Sequence, residues 1–131
     1  DSFAGFQAVK YGDPAKWAER KQQYRLLEQW RAGELPITIN MRKQERHLLG
    51  EGYIEGRSYF TIGPDELQAI VDKLAGTGHP AFRGTSFREI VDTGETIGVI
   101  LYLDGKTPTP TTWISIHYSK TGIHVVPEKA Q

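Results

Sequence analysis

From Phe87 onward the chain is cut into short runs of β-branched and aromatic residues by three turn signals, Asp92-Thr-Gly, Asp104-Gly-Lys and Lys120-Thr-Gly. Turns this short reverse the chain, so consecutive strands are expected as antiparallel neighbours; parallel ones would need a crossover of a dozen or more residues. The strands so defined run from Phe87 to Val91, Thr96 to Leu103, Thr111 to Ser119 and Gly122 to Val126. In the second, Ile97, Val99, Leu101 and Leu103 make one apolar row, as in a sheet with one face against a core.

Helical patterns come before these strands. Pro64 to Ala75 places Leu67, Ile70, Val71 and Leu74 at i, i+3, i+4 and i+7, with Pro64 at the start and Gly76 past the end, which predicts a core helix under the sheet. Asp13 to Ala32 predicts another, with Asp13 as N-cap, Pro14 in the first turn, Gly33 as stop, and Trp17, Tyr24, Leu26, Leu27 and Trp30 at near-helical spacing. Its other face groups Arg20, Lys21 and Arg25, an ordinary solvated face or a docking face for a parent protein. Ile37 to Met41 and Arg57 to Thr61 read as short strands. Gly76 to Ser86 reads as an irregular loop because of its glycines, proline and hydroxyls, with His79 a bystander ahead of Pro80. The expected fold is α+β, with N-terminal helices followed by a four-stranded antiparallel sheet. Residues 1–36 are expected to be a helical stalk or linker from a longer carrier, and 37–131 the compact domain.

Some classes are disfavoured by composition. With no cysteine there is neither a disulfide framework nor a thiolate zinc site. Sixteen basic and sixteen acidic side chains cancel, so only a local basic cluster can attract a polyanion. No run of about 18 apolar residues exists to cross a membrane, and Asp1-Ser-Phe-Ala-Gly-Phe has neither the basic nor the apolar part of a leader. Lacking an initiator methionine, the chain is expected to be a piece of something longer.

Chemistry concentrates between Trp113 and Pro127. Alternation puts Ile114, Ile116 and Tyr118 on one face and Trp113, Ser115, His117 and Ser119 on the other. If Lys120 and Thr121 are the central turn residues, or if Ser119 to Gly122 form a four-residue loop, His117 faces His124 across the hairpin. A three-residue loop would send the two histidines to opposite faces. Two surface histidines on a sheet without a role remain the plain alternative. Zinc would need further ligands, but no HxxxH or HxH spacing exists and carboxylates are scarce near the hairpin, so neither metal nor cofactor is expected.

Lys43-Gln44 with His47, Gly56-Arg57-Ser58, Leu67 to Gly78, Glu89-Ile90, Gly98-Val99 and above all Ile116-His-Tyr-Ser-Lys-Thr-Gly-Ile-His-Val-Val-Pro127 resemble the polymorphic toxin type 50 domain. That domain occurs at the C-terminus of bacterial polymorphic toxins and of phage minor head proteins, and the resemblance covers roughly Ile39 to Pro127. It implies a small ribonuclease-like toxin of the barnase/EndoU/colicin/RelE-like group, with Lys43, Gln44, His47, His117, Ser119, Lys120 and His124 as matching polar positions. Ile123 stands where threonine is commoner in that pattern.

The expected function is therefore a metal-independent endoribonuclease whose 2′-hydroxyl attacks the neighbouring phosphate to leave a 2′,3′-cyclic phosphate. Imidazole serves as base when neutral and as acid when charged. His117 and His124 would divide these roles, with Lys120, or Lys43 if it folds against the same face, stabilising charge, Ser119 orienting phosphate and His47 in reserve. Lys43, Gln44, Arg42 and Thr112 are the candidate substrate-binding residues. The resemblance further implies RNA as partner, a cognate immunity protein, a phage or toxin carrier and action in a bacterial cytoplasm. The competing expectation is a non-enzymatic docking or structural module of a phage minor head protein.

Overall fold

A computed structural model describes residues 12–131, so the expectations for residues 1–11 lie outside the described residues. The described residues form a mixed α+β fold, with three α-helices and two antiparallel sheets among them. After a 3-10 turn, Pro14–Lys16, helix α1 spans Trp17–Arg31; α2 is the single turn Met41–Gln44, continued by a 3-10 turn, Glu45–His47; α3 spans Pro64–Leu74. The larger sheet is built from β2 (His79–Arg83), β3 (Ser86–Asp92), β6 (Trp113–Ser119) and β7 (Gly122–Glu128), in the order β2-β3-β6-β7. The smaller contains β1 (Tyr59–Phe60), β4 (Gly98–Ile100) and β5 (Thr109–Thr111), in the order β1-β4-β5.

Three expectations are corrected. The Gly76 to Ser86 segment is no irregular loop: His79–Arg83 pairs with β3 as the outer strand of the large sheet. Pro80 is tolerated there because an edge strand needs no second row of backbone donors. The segment from Thr96 to Leu103 keeps only Gly98–Ile100 as strand and sits in the small sheet, while Leu103 is fully exposed at the start of the β4–β5 loop. Ile37 to Met41 shrinks to a parallel bridge between Ile39 and Ile123, because Asn40 already caps α2, its side chain accepting from Lys43 N.

The register divides the large sheet into two faces. Phe87, Val91, Ile114, Ile116, Ile123 and Val125 share one face, against which α3 buries Leu67 and Val71 completely. Each such side chain removed from water contributes about 1.5–3 kcal/mol. Glu89 lies on this face too, 0% exposed. Its carboxylate accepts from Trp30 Nε1 at 2.9 Å, Tyr118 OH at 2.7 Å, Gly76 N at 2.9 Å and Gly78 N at 2.7 Å. Through Trp30, helix α1 is bonded to the centre of the sheet. Tyr24, counted in the apolar stripe of that helix, is instead exposed.

Candidate functional site

The opposite face of the large sheet carries the histidines. Lys120 and Thr121 are the central turn residues, and Gly122 takes the positive φ (+111°) that neither of them adopts. Gly122 also packs directly on the Thr38 carbonyl, where a Cβ would collide. This turn sets Tyr118 opposite Ile123 and His117 opposite His124, the register expected from the turn. The two rings stack with centroids 4.6 Å apart and planes at 28°. Continuing across the sheet, the row reads Ala81, Arg88, His117, His124.

His117 Nε2 lies 3.0 Å from Ser115 Oγ, and Ser115 is buried at 1% exposure. His47 arrives from the 3-10 turn after α2, with Nδ1 2.9 Å from the Ser58 carbonyl. A carbonyl can only accept, so Nδ1 carries the proton and Nε2 of the neutral ring keeps its lone pair. All three imidazoles are harder to protonate than a free one. Burial lowers His117 from 6.5 to about 4, helped by the positive charges of His124, Arg88, His47 and Arg83. Burial likewise lowers His124 to about 4, followed by His47, Lys43 and Arg46. His47 is lowered by burial and by Arg57 and Arg46, against the raising effect of its Ser58 bond. Among the described residues, the charged side chains that act on these three rings are all basic.

A stability prediction follows from these shifts. Folded His117 and His124 bind protons less readily than their unfolded counterparts, so unfolding takes up protons between pH 6.5 and about pH 4. Stability is therefore full above pH 6.5 and falls as pH drops through that window. After discounting for their partial exposure, the pair is expected to cost about 2–3 kcal/mol. Urea unfolding at pH 7.5, 5.5 and 4.5 checks this: an unchanged midpoint, or the same slope in a His117→Asn, His124→Asn variant, would count against it.

The other candidates separate clearly. Lys43 reaches the histidine side of the hairpin, with Nζ 3.4 Å from Ser119 Oγ and 3.5 Å from Thr121 Oγ1. Ser119 Oγ is occupied with the turn, donating to the Gly122 carbonyl at 2.7 Å and accepting from Thr121 N. Lys120, in the turn itself, lines a cavity of about 600 Å³ between α1 and the sheet with Gln22, Arg25, Phe87, Tyr118 and Ser119. Gln44 is fully buried: its Nε2 donates to the Val125 carbonyl at 2.9 Å and its Oε1 accepts from Val125 N at 2.6 Å. The side chain thus stands in for a peptide group along the edge of β7 and, wholly buried, presents no polar atom to a substrate. Arg42 is exposed on α2. Thr112 donates to Asp92 Oδ1 at 2.6 Å, five residues from His117 and hence about 16 Å along the strand. That bond and the Gly94 N–H hold the Asp92 carboxyl below its ordinary value.

Arg88 and Arg83 border the site without having been singled out in the sequence. They line a cavity of about 190 Å³ with Ser86, Phe87 and His117. Strand parity offered the signal, since Arg88 alternates with Phe87 and Glu89, but its position opposite His117 depends on a pairing between segments 29 residues apart. Among the described residues, no group of three His, Cys, Asp or Glu side chains is placed to hold a metal ion.

No curated protein matches the chain. The family model for bacterial toxin 50 matches residues 39–127, a span that includes His47, both hairpin histidines, Lys43 and Arg88, and by that match the chain belongs to the bacterial toxin 50 family.

Proposed function

We propose that this toxin domain is a metal-independent endoribonuclease. The observation that carries the reading is the stacked His117–His124 pair, 4.6 Å between ring centroids, set among cationic side chains. Cleavage of RNA without a metal needs one group to take the 2′-hydroxyl proton, another to protonate the departing 5′-oxygen, and a cation for the charge on phosphorus. A neutral imidazole of the pair removes the 2′ proton; the 2′-oxygen bonds to phosphorus; the P–O5′ bond breaks as the charged imidazole gives its proton to the 5′-oxygen. The products are a 2′,3′-cyclic phosphate and a 5′-hydroxyl.

The two rings share this work as a coupled pair. Both are neutral at pH 7 without substrate, and the negative charge of a phosphodiester is what favours protonation of one of them. Lys43, already at Ser119 and Thr121, supplies the cation. His47, with its proton held at Ser58, orients or relays from the side. The barnase-like arrangement belongs to the same proposal, supported by helices preceding an antiparallel sheet with the site on one face. A toxin of this kind requires a cognate immunity protein in the cell that makes it. No helix among the described residues is long and apolar enough to cross a membrane.

Incubation of bacterial RNA in EDTA with wild type and with a His117→Ala, His124→Ala variant tests the reading. Cleavage by wild type to cyclic-phosphate ends, reduced about 10³-fold or more in the variant, is expected. Cleavage only with an added divalent cation would overturn the mechanism; intact RNA in all lanes would favour a docking module.

A further inference from the structure

The positive charges around the two histidines fall into separate groups. On the β7 side Lys43 and Arg46 act on His124; on the β2–β3 side Arg88 and Arg83 act on His117. The stacked rings stand between them. Lys43 Nζ is anchored at Ser119 Oγ on β6 and at Thr121 in the turn, whereas Arg83 is on β2, two strand spacings or about 10 Å from β6. A single phosphate group cannot fill both places.

The second group has the features of an anion subsite. Arg88 is the cross-strand neighbour of His117, and Arg83 pairs with Ser86 on the same face. The cavity of about 190 Å³ between them is lined by Arg83, Ser86, Phe87, Arg88 and His117, with no carboxylate. Arg88 Nε is buried and makes no hydrogen bond, the one such side-chain atom among the described residues. A buried donor without an acceptor is unfavourable for folding alone and calls for an explanation. A guanidinium fork suits the paired oxygens of a phosphate, which would satisfy Nε together with a terminal nitrogen.

We infer that Arg88 and Arg83 form a second phosphate subsite beside the histidine pair, taking the phosphodiester adjacent to the one held at Lys43, so that the ligand is an RNA strand with at least two consecutive phosphates. The assignment rests on the ribonuclease reading for the identity of the strand and on the cavity for the chemistry. It gives the strand a path across the sheet, from the β7 edge over the histidines to the β2 edge.

Binding rather than cleavage separates this inference from the function. The probes are 2′-O-methyl di- and trinucleotides carrying one and two phosphodiesters, and inorganic phosphate, titrated into the full chain by calorimetry and by histidine C–H NMR shifts. For wild type the second phosphodiester should tighten binding about tenfold; in Arg88→Gln and in Arg83→Gln that advantage should vanish while binding of the dinucleotide stays within about twofold. Arg83 is exposed on an edge strand, so its variant remains informative if Arg88→Gln folds poorly. An advantage that survives both substitutions would overturn the subsite, even if wild type cuts RNA. The advantage present but RNA uncut would support the subsite and sink the nuclease. Inorganic phosphate bound through Arg88 with no preference between the oligonucleotides would identify free phosphate as the ligand and overturn the strand.

Discussion

Glu89→Ala is expected to remove about 3–5 kcal/mol of stability, a large share of the 5–15 kcal/mol typical of a domain. The carboxylate is wholly buried and is balanced by neutral donors, the Trp30 indole, the Tyr118 hydroxyl and the Gly76 and Gly78 amides. Truncation strands all four. Glu89→Gln keeps the shape but turns an amide NH2 toward donors, and is expected to cost about 2–4 kcal/mol. Trp30→Phe removes one bond of the set and should cost less than either. The same carboxylate, after burial, pushes the Tyr118 hydroxyl far above its ordinary value, so Tyr118 stays a donor at every physiological pH. Urea unfolding of the three variants at pH 7.5 measures the ranking; a loss under 1 kcal/mol for Glu89→Ala would mean that water replaces the carboxylate without penalty.

Lys43→Met is expected to slow RNA cleavage about 10²–10³-fold, the usual consequence of deleting one charge stabiliser at a reacting phosphate. Lys120→Met should stay within about threefold of wild type, because its side chain lines the cavity on the α1 side of the sheet. The pair is informative because both lysines flank the hairpin tip and remove the same charge, so a nonspecific electrostatic effect would lower both alike. Initial rates on one RNA substrate in EDTA decide between them. Equal losses would make the tip as a whole the cationic element; a loss confined to Lys120 would reverse the assignment.

The features legible in the sequence were those fixed by local geometry. A two-residue turn and strict alternation gave the His117–His124 pairing, and the spacing of Leu67, Ile70, Val71 and Leu74 gave α3. Long-range pairing was what local pattern could not supply. Pro80 and Gly84 look like breakers in isolation, yet an edge strand and its turn accommodate both. Gln44 reads as a polar site residue until the open edge of β7 is placed beside it. Lys120 is a turn residue, beyond the reach of strand alternation, so its direction depends on α1, whose side chains share its cavity. Glu89 carried a usable signal: an acid with the same parity as Phe87 and Val91 must be buried and hydrogen-bonded, or the strand would not pack.

The Gln44–Val125 pair has a consequence for the timing of toxicity. Lys43 and His47 flank a glutamine whose amide is locked onto a strand some eighty residues later, so their placement depends on β7 as much as His124 does. Since β7 is the last strand in chain order, a ribosome that has made everything up to Ser119 carries a polypeptide with one hairpin histidine, an unmoored lysine and no candidate site. The proposed chemistry therefore becomes possible only once β7 has emerged and docked against β6 and Gln44.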